Sequence, residues 1–279
     1  GCACSAKRPW AWPRETKAVA TISSCGQGLR VGSSGLASLR SGRTRYSSGS
    51  GEIAARRAIA TRLARRSGLE VSPDQIVYAS GTQNALFTAM LTLAEHGDEV
   101  LVPDPYYATY EGVVAATGAT FVAVPTLPED GFHLTAAALA AKVTPRSRVL
   151  LLNTPANPTG AVLSAAEVEA IGAVCEQHDL WIVCDEVYAD LAFDVPFASP
   201  FDHPRLRERT VAVASISKSH ALPGFRAGWA AAPLELARRM TAVSEAMLFG
   251  LQPFVADALV VALEQEHPEV ADLGRTFRE

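Results

Sequence analysis

The chain has 279 residues, 48% of them hydrophobic and 19% charged, which is enough to bury a sizeable core. A net charge of −4 and a pI of about 5.9 exclude the basic footprint expected of a protein that binds nucleic acid or an anionic membrane. No apolar run approaches the roughly 20 residues that span a bilayer, and no charged-then-apolar leader is read at the start. Five cysteines, an odd number without framework spacing, fit a reducing, cytoplasmic setting.

Residues 1–35 are rich in Ser, Gly, Arg and Cys and show no clear periodicity. Cys2-x-Cys4 has no matching second pair, so no metal site is expected. Gly26-x-Gly28 lacks both the third glycine and the preceding strand of a dinucleotide loop, which excludes that reading. From Tyr46 onward, strand and helix patterns alternate. Helical stretches fall at 52–66, 84–93, 108–117, 165–178 and 233–249. Apolar runs at 75–79, 99–102, 149–152, 180–184 and 211–214 read as strands. The fold class is therefore α/β, a mostly parallel sheet with helices on both faces. No internal repeat is evident. Residues 267–279 read as a further helix, with no Gly or Pro stop signal.

The chemistry is concentrated just past the strand ends. Residues 215–228 read S-I-S-K-S-H-A-L-P-G-F-R-A-G, placing Lys218 beyond a buried strand and Arg226 eight residues later in a Gly/Pro loop. A lysine desolvated in such a place can lose its proton and act as a nucleophilic amine. An arginine keeps its charge, and its planar fork matches a phosphate. An amine with a phosphate clamp is what a pyridoxal phosphate (PLP) site requires, since the lysine forms the Schiff base with the cofactor aldehyde. Two solvated loop cations would read the same way in isolation.

Such a site needs a carboxylate for the pyridine nitrogen, donors for the phenolic oxygen, a flat stacking group and backbone amides for the phosphate. Asp185 follows the run at 180–184, where ligands of parallel sheets bind, and Tyr188 is placed to donate to the phenolic oxygen. Asn157 lies in the loop N-T-P-A-N-P-T-G after the run at 149–152. Ser80-Gly81-Thr82-Gln83 joins a strand to a helix start, where close backbone approach and the helix dipole favour an anion. Tyr107, past the run at 99–102, is the stacking candidate. Each loop also has a plain reading as a cap, a turn or a packing aromatic. Five loops after five strands, each meeting a different need of one cofactor, argue for a single site.

These motifs resemble class I/II aminotransferases, enzymes of PLP fold type I, from about Leu36 to the C-terminus. By that resemblance, Lys218 carries the cofactor and shuttles the substrate proton, and Asp185 pairs with the pyridine nitrogen. Asn157 and Tyr188 hold the phenolic oxygen, with Asn157 also touching the substrate carboxylate. Gly81, Thr82, Gln83, Ser215, Ser217 and Arg226 hold the phosphate, and Tyr107 stacks on the ring. Tyr46 matches a tyrosine that reaches the phosphate of a neighbouring subunit, which implies a homodimer. The wording around Asp185 and Lys218 resembles the aspartate-aminotransferase-like group, close to arginine–pyruvate transaminases. The implied activity is transfer of an amino group from an L-amino acid to a 2-oxo acid.

The resemblance also divides the chain into an arm at 1–45, a PLP-binding domain at 46–265 and the start of an interdomain helix at 266–279. Family members continue into a small domain that carries the arginine for the substrate α-carboxylate. This chain is therefore expected to be a fragment that binds PLP weakly and turns over poorly. Three alternatives remain open at this point: a lyase or decarboxylase of the same fold, a sensor domain of a transcriptional regulator, and an inactive remnant.

Overall fold

The computed structural model describes residues 27–193 and 195–265. In chain order the elements are α1 (Gln27–Arg40), α2 (Ile53–Ser67), β1 (Ile76–Ala79), α3 (Thr82–Leu93), β2 (Glu99–Asp104), α4 (Tyr110–Ala115), β3 (Thr120–Pro125) and α5 (Ala136–Ala140). They continue with β4 (Ser147–Asn153), α6 (Ala165–Gln177), β5 (Trp181–Asp185), β6 (Thr210–Ser215), α7 (Ile216–Ser219), β7 (Gly228–Ala231), α8 (Leu234–Leu248) and α9 (Pro253–Glu264). Cys2, Cys4 and the helix expected at 267–279 lie outside the described residues.

The seven strands form one sheet in the order β1-β7-β6-β5-β4-β2-β3. Strands β6, β5, β4, β2 and β3 pair in parallel, whereas β7 runs antiparallel to both β1 and β6. The expected mostly parallel α/β architecture is what forms, and it is the PLP-transferase fold type I. Because β7 reverses direction between them, β1 and β6 point the same way. All the loops singled out above therefore open at one edge of the sheet.

Helices cover both faces, as near-continuous apolar strands require. On one face Met90, Val113 and Met240, from α3, α4 and α8, pack over Val100, Val149 and Leu151. On the other, Ile59 and Leu259, from α2 and α9, cover Ile76 and Ala212, while Ile171 of α6 covers Leu150 and Ile182. Helix α6 starts with a capping box, Ser164 accepting from the Glu167 amide and Glu167 accepting from the Ser164 amide, which satisfies two orphan donors. Among the described residues, no helix is long and apolar enough to cross a membrane.

Helices α1, α5, α7 and α9 and strands β3 and β7 are absent from the sequence reading. Helix α1 forms where no periodicity is visible, because its glycines serve packing and hide the apolar stripe. A Cβ on Gly35 would lie 3.4 Å from both the Ala258 Cβ and the Phe254 carbonyl of α9, so the missing side chain lets the two helices approach closely. Strand β7 begins with glycine and contains two alanines, a composition poor in strand formers, and its neighbours impose the extended form. Strand β3 is an edge strand with only Val124 fully buried, so its apolar run is short on burial signal.

Candidate active site

The ends of β1, β2, β4, β5 and β6 surround one cleft that is open to solvent. Thr82, Gln83, Tyr107, Asn157, Asp185, Tyr188, Ser215, Ser217, Lys218 and Arg226 all line it. Residues spread over the chain thus meet as their types demanded, and Tyr110 and Asn153 join them.

One wall is acidic. Asp185 ends β5 and is buried at 5% exposure. The Val187 amide donates to its Oδ1 at 3.1 Å and the Tyr110 hydroxyl to its Oδ2 at 2.9 Å. Desolvation pushes its carboxyl up to about 6, while those two donors and, more weakly, Lys218 resist the shift. Asp185 is therefore ionised at neutral pH and suited to face a cationic nitrogen. The same burial, with the Asp185 charge beside it, drives the Tyr110 hydroxyl well above its usual range and keeps it a donor.

The Asp185 backbone is fixed too. Asn153, at the end of β4, donates through Nδ2 to the Asp185 carbonyl at 2.9 Å and accepts the Asn157 amide at 2.7 Å through Oδ1. One side chain thus ties the Asn157 loop to the Asp185 strand. Asn157 Nδ2 lies 3.5 Å from the Tyr188 hydroxyl, so the two expected oxygen-side donors are neighbours. Burial raises the Tyr188 hydroxyl above its ordinary range.

The opposite wall is built to accept an anion. Gly81 caps α3 with φ of 80° and offers no side chain to the first helical amides. Those amides, with the positive end of the helix dipole, face the cleft beside the hydroxyl of Thr82, which donates to Ser215 Oγ at 2.9 Å. Ser215 also accepts the Ser217 amide at 3.3 Å. Arg226 adopts the left-handed conformation, φ 51°, at the end of a short turn. Its Nη1 donates to the Pro223 carbonyl at 2.9 Å and its Nη2 to the Ser80 carbonyl at 3.3 Å. A Cβ on Gly81 would lie 2.3 Å from Arg226 Nη2, so glycine is required for the guanidinium to reach this place.

Lys218 sits in the single turn α7, its Nζ 5.9 Å from the centre of the Tyr188 ring. It is exposed, so the desolvation expected of it is not supplied by the surrounding side chains of this chain. Tyr107 is exposed, and its ring meets that of Tyr110 edge to face at 5.8 Å. Tyr46 is not brought into the cleft. It is 85% exposed and its ring stands edge-on to Phe249 at 5.3 Å.

Sequence reasoning missed Tyr110, Asn153 and Gly228. Tyr110 could be read as a helix-packing aromatic. Gly228 is paired with both Ser215 and Ala79, and a Cβ there would lie 2.7 Å from the Ala214 carbonyl and from the Gly81 carbonyl carbon. A glycine two residues after Arg226, where its Gly/Pro loop ends, was the available signal.

An acid, an amine and an anion cradle thus meet at the carboxyl edge of a sheet of the PLP-transferase fold type I. The chain belongs to the class I and II aminotransferases, whose family profile matches residues 23–276. It is 42% identical over 241 residues to the arginine–pyruvate transaminase AruH of Pseudomonas aeruginosa, covering 86% of this chain and 61% of that protein. It is 39% identical over 244 residues to a probable N-succinyldiaminopimelate aminotransferase, DapC, of Mycobacterium tuberculosis, covering 85% and 60%. The N-succinyldiaminopimelate aminotransferase structure from Mycobacterium tuberculosis superposes with a TM-score of 0.85 at 35% identity, covering 89% of this chain and 65% of that one. A Thermus thermophilus aspartate aminotransferase variant gives 0.81 at 32% identity, covering 88% and 66%. The chain spans about three-fifths of the length of the curated relatives it matches.

Proposed function

We propose that this chain is the cofactor-binding part of a cytoplasmic aminotransferase that exchanges an amino group between an L-amino acid and a 2-oxo acid, with PLP as cofactor. The carrying observation is the polarity of one cleft: a buried, ionised Asp185 on one wall, an amide, hydroxyl and guanidinium cradle on the other, and Lys218 in the same space. PLP bound there would supply an electron-withdrawing ring and an aldehyde carbon that takes up the amino group.

The chain's own residues would do the rest. Asp185 would hold the proton on the ring nitrogen. Thr82, Gln83, Ser215, Ser217 and Arg226 would bind the phosphate, with Gly81 leaving room for it. Asn157 and Tyr188 would donate to the phenolic oxygen, and Asn157 would also orient the substrate carboxylate. Tyr107 would limit the ring's movement by stacking. Lys218 would hold the cofactor until substrate arrives, then take the α-proton from the substrate and return it on the cofactor side.

Residues 46–265 form the cofactor-binding unit in this reading, with a second copy completing it. The exposed Tyr46 and Phe249 lie against each other, where a second copy would bury them and receive Tyr46 at its cradle. The 42% identity to an arginine–pyruvate transaminase makes arginine and pyruvate the first substrate pair to try, and aspartate with 2-oxoglutarate the second. Incubation with PLP, borohydride reduction and peptide mapping test the assignment. A pyridoxyl group on Lys218 supports it, and loss of that selectivity in wild type overturns it. Release of ammonia and pyruvate from cystathionine would instead indicate a lyase.

A further inference from the structure

We propose that His220 is a positioning residue for Lys218, pinning the turn that carries the lysine to the last turn of α9. The inference rests on the assignment of Lys218 above.

Helix α7 is a single turn of four residues, Ile216–Ser219, too short to hold a conformation by itself. What fixes it must come from tertiary contacts. Ile216 and His220 are four apart and share one side of the turn, and both are buried, at 0% and 5% exposure. Lys218 lies between them in sequence and projects from the other side, toward the cleft. The inward pair therefore sets where the outward lysine points.

The Ile216 side chain is held by apolar packing, and its backbone amide donates to the Ala227 carbonyl at 3.2 Å, which fixes the start of the turn. His220 adds direction. Its Nε2 lies 2.8 Å from the Ala262 carbonyl, and its Nδ1 lies 2.8 Å from Ser219 Oγ. A carbonyl only accepts, so Nε2 carries the hydrogen. Nδ1 of the neutral ring then accepts from the Ser219 hydroxyl. Ala262 belongs to the last turn of α9, where the preceding carbonyl, that of Val261, accepts the amide of the capping residue Gln265. His220 thus ties the lysine turn to the C-terminal end of α9. Neither His220 nor Ala262 touches the cleft.

Two variants and two readouts test this. In His220→Gln the amide nitrogen can take the place of Nε2, whereas His220→Leu keeps bulk and removes the donor. The first readout is hydrogen exchange at the amides of residues 216–221, which needs no cofactor. Exchange is expected to rise about tenfold in His220→Leu and to stay within about twofold of wild type in His220→Gln. The second is borohydride labelling with PLP, read as the ratio of Lys218 to the exposed Lys142. That ratio is expected to fall roughly tenfold in His220→Leu and to be restored in His220→Gln. Unchanged exchange in His220→Leu overturns the pinning. Faster exchange with an unchanged labelling ratio makes His220 a structural anchor only and overturns the positioning role. Absence of selective Lys218 labelling in wild type instead removes the assignment on which the inference rests, and the exchange data tell the two failures apart.

Discussion

The Tyr110 hydroxyl donates to Asp185 Oδ2 at 2.9 Å from a position buried almost completely, at 1% exposure. The two residues come from different strand-end segments and meet beneath the cleft. A hydrogen bond to a charged acceptor in such surroundings contributes about 1.5–3 kcal/mol.

Tyr110→Phe removes that donor without changing the packing of the ring. The ionised form of Asp185 loses support, so its carboxyl titrates above its present value of about 6. PLP affinity at pH 7 is expected to fall roughly tenfold, with a smaller loss at pH 8.5, where the carboxyl is ionised again. Equilibrium binding of PLP at several pH values checks this. An unchanged pH profile would show that the hydroxyl does not tune Asp185.

Asp185 also makes folding stability depend on pH. Its native carboxyl is raised from 3.8 to about 6, chiefly by desolvation. A group shifted in this direction favours the native state below the unfolded value and loses that contribution as pH rises through the native one. The PLP-free chain should therefore lose stability between about pH 4 and pH 6. Asp185→Asn removes the burial of charge and should stabilise the PLP-free chain by roughly 2–3 kcal/mol at pH 8 and by little at pH 4. Urea denaturation at the two pH values reads the difference. The same substitution should abolish tight PLP binding.

Gly81→Ala and Gly228→Ala separate a functional from a structural glycine. At Gly81 the new methyl meets the far end of Arg226, and the φ of 80° adds strain of about 1–2 kcal/mol. A modest fall in melting temperature with a PLP affinity loss of tenfold or more is expected, and affinity for non-phosphorylated pyridoxal should change far less. At Gly228 the methyl meets backbone atoms at 2.7 Å, which cannot step aside. Destabilisation on the order of 3 kcal/mol is expected there. Equal effects of the two on PLP and pyridoxal would contradict the cradle.

Glu186 follows Asp185 and points away from the cleft. Its side chain is 1% exposed, pairs with Arg66 Nη1 at 2.8 Å and accepts from the Ser199 hydroxyl. Arg66 in turn pairs with Asp202 at 2.6 Å. Arg66→Met leaves a buried carboxylate unpaired and should cost about 3–5 kcal/mol. The double variant Arg66→Met, Glu186→Gln should recover much of that loss. Denaturation midpoints of the single and double variants decide the matter.

The sequence made the polar skeleton of the cleft legible because its parts are few-purpose residues at strand ends. Lys218 and Asp185 each lie just past an apolar run, Arg226 lies in the Gly/Pro loop that follows Lys218, and the sheet brings these segments together. Tyr110 was hidden because its value lies in one hydroxyl on an otherwise apolar ring. Gly228 was hidden because its role is to lack atoms. Helix α1 was hidden for a related reason, since glycines that let it lie on α9 also dilute its pattern. Local chemistry reads directly from residue type, whereas closeness between distant backbones does not.

Among the described residues strand β1 has a single neighbour in the sheet, β7, and that neighbour is made late in the chain. During synthesis, therefore, residues 76–83 must wait as an unpaired edge until residues 228–231 emerge. The Ser80–Gln83 half of the cradle and the Ser215–Arg226 half come together in that same event. Cofactor cannot guide the early stages of folding through its phosphate. On the assignment proposed above, PLP would only select among chains whose sheet is already closed, a late inspector of the fold rather than its template.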